Sequence, residues 1–292
     1  MTLEVWAMII AGAVVLVAGL ILAWPRFQSA SGLDKVFVLA PVFEAVPLAI
    51  FAMEHLFDAR DLMGAVPKWL PGPLFWTYFF GVALLAAAIS FILWCCVGIS
   101  SSLLAVFFLL IVVTVDLPGL FVQVHDRIFW TLTVRELCFA AGALVLAGSL
   151  MGKAPMGRAY VLGGRSIVAL VMIFYGIEHF FFPHNVPGVP LEKITPSWIP
   201  ASAAITCFIG AILILAGIGL FIRRTVRIAA AGAGAILVLL VIVFYGPICI
   251  SEISTNPVEG LNYVGDTLLF AATVMLAGFG ENSTETGQPV NA

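Results

Sequence analysis

The sequence predicts an all-α polytopic membrane protein with about nine transmembrane helices, two parallel four-helix repeats behind one N-terminal helix. Three observations predict it. Hydrophobic residues make up 62% of the chain and charged residues 10%, at a mean hydropathy of +1.15. A soluble domain carries about 25% charged residues, so this chain cannot cover itself with polar groups. Apolar stretches of bilayer-crossing length, about 17–25 residues each, recur along the whole chain. Finally, the second half repeats motifs of the first.

Nine spans are expected. The first, 4–24, follows "MTLEVW", which holds an acid and no base; lacking a basic leader and a small-residue cleavage site, it is expected to be retained rather than cleaved. The second, 35–57, contains Pro41 and Pro47 and ends in "FAMEHLF". The third, 74–97, starts behind "WLPG" and closes on Cys95 and Cys96. In the fourth, 102–122, Asp116 and Pro118 are expected to break the helix near its end. The fifth, 131–150, carries Arg135 and Glu136, and the sixth, 165–182, ends in "FYGIEHFFF". The seventh, 201–222, runs into "RRTVR". The eighth, 228–250, opens on the small-residue run "AAAGAGA", read as a close helix contact, and is interrupted by Gly246-Pro247. The ninth, 261–280, holds Asp266. The polar tail at 281–292, "ENSTETGQPVNA", is expected to be disordered.

If the spans alternate, Arg26, Lys35, Lys153, Arg158, Arg165, Arg223, Arg224 and Arg227 share one side, and Arg60, Lys68, Arg127, Arg135 and Lys193 the other. The richer side is expected to be cytoplasmic. That places the N-terminus outside and the C-terminus in the cytoplasm of a plasma (inner) membrane. No basic patch points to nucleic acid. The five cysteines form no C-x-x-C pair, which speaks against a dithiol relay.

Glu54-His55 matches Glu178-His179 at an offset of 124. After five extra residues in the second loop, "PKWLPG" matches "PSWIPA" at 129, as do Gly81 with Gly210 and Pro118 with Pro247. At 131, "CFAAGALVLAG" falls on "LFAATVMLAGF". The chain therefore divides into an N-terminal helix and linker at 1–32, four-helix units at 33–150 and 164–280, and the tail. An even number of spans per unit makes the repeats parallel, related by an axis along the membrane normal.

A four-helix unit with Glu-His closing its first helix, a P-x-W-[LI]-P loop, a glycine in its second helix and a proline in its third resembles the DoxX-like family of small membrane proteins. The resemblance spans both units. It implies a small helical membrane protein, with redox or quinone-linked work as its functional suggestion, since one member is a subunit of a thiosulfate:quinone oxidoreductase.

Polar residues concentrate at the expected outer end. Glu54, His55, Glu178 and His179 are the leading ligand-binding or proton-handling candidates, with Arg135 and Asp266 as repeat-equivalent charges on facing helices. Ionisable groups inside a membrane are costly unless paired or hydrated. Adjacent helical residues point about 100° apart, so Glu and His cannot both face one neighbour. Several arrangements are open: His in the bundle with Glu turned to an arginine such as Arg135; both lining a polar vestibule; His55 and His179 facing each other across a haem or metal; or simple capping of helix ends. No zinc-type spacing occurs, so no metal site is expected. Glu44 stands mid-helix between the two prolines, eleven residues before His55 and so nearly on its face; it suggests a polar path part-way across the bilayer.

No recognisable reaction motif is present and no cofactor is firmly implied, with a quinone as the candidate and haem disfavoured. The expected function is an outward-facing Glu/His pocket that binds a quinone, lipid or other small molecule and assists a membrane oxidoreductase. A small-solute transporter and a non-catalytic membrane scaffold are the alternatives. The expected partners are the lipid bilayer and a membrane or extracytoplasmic redox protein.

Overall fold

The structure is a computed structural model that describes residues 1–152 and 154–279; the tail expected to be disordered lies outside the described residues. Nine helices among these residues are long and apolar enough to cross a membrane. They are α1 (Leu3–Ser29), α2 (Asp34–Phe57), α3 (Pro73–Leu93), α4 (Val97–Val122), α5 (Arg127–Leu150), α6 (Pro155–Phe181), α7 (Ser202–Phe221), α8 (Val226–Glu252) and α9 (Pro257–Ala277). No strand is present among the described residues beyond one isolated bridge, Asn185 to Ile194.

Several helices begin earlier than hydropathy predicts, because their first turns are polar or glycine-rich. α6 starts at Pro155 instead of 165, carrying Arg158, Gly163 and Gly164 in its opening turns. α5 starts at Arg127, where Asp126 caps the helix by accepting from the Ile128 N–H at 2.9 Å. The breaks expected in the fourth and eighth spans are absent. Each helix instead takes one π turn, Val112–Asp116 in α4 and Val241–Tyr245 in α8, and continues. Pro118 and Pro247 lack the N–H of a regular turn. The chain responds by bonding Leu117 N–H to Val112 C=O and Gly246 N–H to Val241 C=O, five residues back.

The centre of the bundle is a pair of parallel helices, α5 and α9. Arg135 meets Asp266, and one heptad further on Gly142 packs on Thr273. Around this seam α2 packs on α9 and α6 on α5, while α3 lies on α2 and α7 on α6. α4 packs on α5 and α8 on α9. The most apolar window of α9 is 89% buried, against 28% for α1, which lies outside against α2 and α3. Of the nine, α1 is also the most apolar and α9, which carries Asn262 and Asp266, the least; the central helix holds the polar side chains that lipid would not accept.

Candidate functional site

The polar side chains at the end of the bundle where α2 and α6 finish form one layer across the seam. Glu54, at the end of α2, accepts from Asn262 Nδ2 of α9 at 2.8 Å. Glu178, at the end of α6, accepts from Thr131 Oγ1 of α5 at 3.0 and 3.3 Å, with Arg127 Nη1 at 3.7 Å. Thr131 and Asn262 are themselves 131 residues apart, the offset that aligns the two last helices. Each carboxylate is thus held by the last helix of the other half. Between them Arg135 donates to Asp266 Oδ2 at 2.8 Å and, through Nη2 and Nε, to Glu136 Oε1 at 2.7 and 3.1 Å. Buried acids at this depth need a counter-charge or donors, and Arg135 supplies both to two of them. The Glu54 side chain finds an amide of α9, not the guanidinium of Arg135 that the sequence offered it.

The histidines are fixed differently. His55 Nδ1 lies 2.8 Å from the Phe51 carbonyl, four residues back. A carbonyl only accepts, so Nδ1 carries a proton, and in the neutral ring Nε2 keeps the lone pair. The ring stacks on Phe80 with centroids 5.2 Å apart. His179 repeats this with the Tyr175 carbonyl, and its Nε2 accepts from the Gly188 N–H at 2.8 Å. Gly81 and Gly210 let the next helix pass close by: an added Cβ would lie 3.0 Å from His55 Cβ and 2.7 Å from His179 Cβ. Each histidine therefore lies against the second helix of its own half. They do not face each other, and His179 has no lone pair left for iron, so the bis-histidine haem arrangement does not occur. Among the described residues no three His, Cys, Asp or Glu side chains gather as a metal site.

Glu44 is 1% exposed, and its Oε2 has no hydrogen-bond partner among the described residues. Between it and His55 the α2 face carries Leu48, Phe51 and Ala52, none of them polar. The two groups share a stripe but no side-chain relay on α2 joins them. His125 and His184 are exposed in loops, and Trp69 and Trp198 are exposed as interfacial side chains are.

Two features escaped sequence reasoning. Thr131 and Asn262 carry no charge, and only the 131 offset joins them. The other is the loop after α6. Asn185–Pro190, "NVPGVP", is buried, whereas the loop after α2 stays at the surface apart from Ala59. Tyr245 donates to Pro187 O, Lys193 N donates to Tyr263 Oη at 3.2 Å, and Arg127 Nη1 donates to Pro190 O. Lys193 Nζ pairs with Glu252 at 2.9 Å. The longer loop enters the bundle instead of lying over it.

Fold and site together define an all-α integral membrane protein with a cross-linked polar layer near one face. No protein-family model matches the chain, and neither a curated protein nor a solved structure is similar to it.

Proposed function

We propose that this chain is a tandem pair of DoxX-like four-helix units in a bacterial-type inner membrane, N-terminus outside and C-terminus cytoplasmic, that binds a small amphipathic molecule at the outer end of the first unit. The duplication is supported by contacts that recur at the sequence offsets: the two Glu–last-helix bonds, the two π turns and the two glycine–histidine approaches.

One observation carries the binding reading. In the first unit His55, Asp116 and Arg135 are half-buried, and Asp116 Oδ2 is shielded from solvent yet has no hydrogen-bond partner among the described residues. Asp116 ends the π turn of α4, close enough to Glu136 and Arg135 for their charges to act on it. A shielded oxygen without a donor costs about 1–3 kcal/mol, and a bound polar head relieves that cost. The apolar walls of the bundle would hold the remainder of the molecule. The DoxX-like resemblance adds a place beside a membrane oxidoreductase, with a quinone as one candidate ligand.

The test is extraction. Protein purified in mild detergent should release an amphiphile at near one-to-one ratio on organic extraction and mass spectrometry, and Asp116→Ala should release much less. Equal recovery from both proteins would remove the site from the binding role.

A further inference from the structure

The second unit shows what its own site takes. Pro187 C=O and Gly188 N–H belong to one peptide group. Tyr245 donates to the carbonyl, and His179 Nε2 accepts from the N–H at 2.8 Å. The site of the second unit is thus a clamp that grips one amide between a donor and an acceptor, and the chain's own loop fills it. Gly188 fits there at φ +103°, with Thr267 and Leu240 against it.

The alignment offsets carry this clamp into the first unit. His179 becomes His55, Tyr245 becomes Asp116, Leu240 becomes Ile111, Tyr263 becomes Leu132 and Thr267 becomes Glu136. The loop that would fill it is five residues shorter and stays at the surface. The walls answer accordingly. His179, Tyr245, Leu240 and Tyr263 are buried, whereas His55, Asp116, Ile111 and Leu132 are all part-exposed.

One exchange changes the chemistry. The phenol that donates in the second unit is replaced by a carboxylate that accepts. His55 Nε2 still presents its lone pair, and it makes no hydrogen bond among the described residues. Thr267 is replaced by a second carboxylate, Glu136. Arg135, the cation beside them among the described residues, is engaged by Glu136 and Asp266. A molecule gripped here must donate on both sides and bring positive charge. An oxidised quinone head offers only carbonyl acceptors and meets no free donor of the clamp; its quinol form could donate O–H groups there but brings no positive charge.

Building on the binding reading above, we propose that the first unit binds the primary ammonium head of an amphiphile, held between His55 Nε2 and Asp116 with Glu136 as second counter-charge. The second unit is a copy of the site permanently closed by residues 185–190. The ammonium could come from a free long-chain amine or from an ethanolamine lipid head.

The full chain in detergent is tested by calorimetry with four decyl probes: decylamine, decyltrimethylammonium, decanoate and a decyl-substituted quinone. Decylamine should bind at least tenfold more tightly than decyltrimethylammonium, which has the charge but no N–H. Asp116→Asn should weaken decylamine at least tenfold, Asp116→Glu should restore part of it, and Tyr245→Phe should leave it unchanged. In phosphatidylcholine nanodiscs, added phosphatidylethanolamine should compete with decylamine if the source is the lipid head and not if it is a free amine. Decylamine affinity indifferent to Asp116→Asn overturns the proposal. Binding of the quinone or decanoate without the amine overturns the ammonium class and leaves the binding reading standing; no binding by any probe removes both. Should Asp116→Asn fail to fold, carbodiimide coupling of decylamine to the wild-type chain decides, because the amide should form at Asp116; coupling elsewhere only counts against the site.

Discussion

Arg135 and Asp266, paired with each other by the alignment of the two halves, meet side chain to side chain at 2.8 Å in the centre of the bundle. In a symmetric pair of subunits, only residues near the two-fold axis touch their own counterparts. The same holds for Gly142 and Thr273, one heptad deeper. Here the contact joins α5 and α9 through one ion pair and one close glycine approach.

Arg135→Met should be among the most damaging single changes in the polar layer. It leaves Asp266 and Glu136 buried without their cation, a loss of about 3–5 kcal/mol. Thermal unfolding in detergent checks this. The double variant Arg135→Met/Asp266→Leu should cost less than the sum of the two singles, since it removes both ends of the pair.

Thr131→Val and Asn262→Leu should each cost about 1.5–3 kcal/mol by withdrawing the donor from a buried carboxylate. Glu54 pairs with Asn262 across 208 residues of chain, and Glu178 with Thr131 across 47. The two sites share no partner, so their effects should add. A double variant well below additivity would show that the two carboxylates are coupled.

Gly210→Ala should destabilise more than Gly81→Ala. An added Cβ at Gly210 meets His179 Cβ at 2.7 Å and the Gly176 carbonyl at 2.8 Å, whereas at Gly81 the nearest atoms lie at 3.0 Å. Overpacking of this kind costs about 1–3 kcal/mol. Unfolding temperatures of the two variants in one detergent provide the comparison.

The orientation is testable through Cys95 and Cys96. Both are exposed in the turn between α3 and α4, at the end of the bundle that carries Arg223, Arg224 and Arg227. A membrane-impermeant maleimide should label them only after the membrane is opened, while a cysteine placed at Lys68 should react in intact cells. Labelling of Cys95 and Cys96 in intact cells would invert the topology.

The spans were legible because hydropathy is local: about twenty apolar neighbours announce a crossing wherever they later pack. Helix starts were less so, since the first turns of α5 and α6 hold charges and glycines that dilute the signal yet are satisfied by caps and neighbours. Arg165 illustrates this. It counts as a loop charge in sequence, but it lies within α6, buried, donating to the Ala277 carbonyl at 3.0 Å. The prolines of α4 and α8 announced an irregularity; that it would be a π turn depended on which carbonyls the next turn could still reach.

The paired Glu-His dipeptides and the charges at 135 and 266 could be found in the chain alone, because repetition is a property of order. What each of them touches could not. Glu54 and Glu178 lie at helix ends that any rotation of the bundle would point elsewhere, and their partners carry no charge to betray them. The segment "NVPGVP", rich in proline and next to a histidine, reads as surface loop; in the bundle its polar backbone is satisfied by His179 and Tyr245, which offer one acceptor and one donor at the spacing of a single peptide group, and by Thr206 and Arg127 at its ends. Hydrogen bonds act over about 3 Å, and in this protein that distance is spanned by residues whose separation along the chain gives no warning of it.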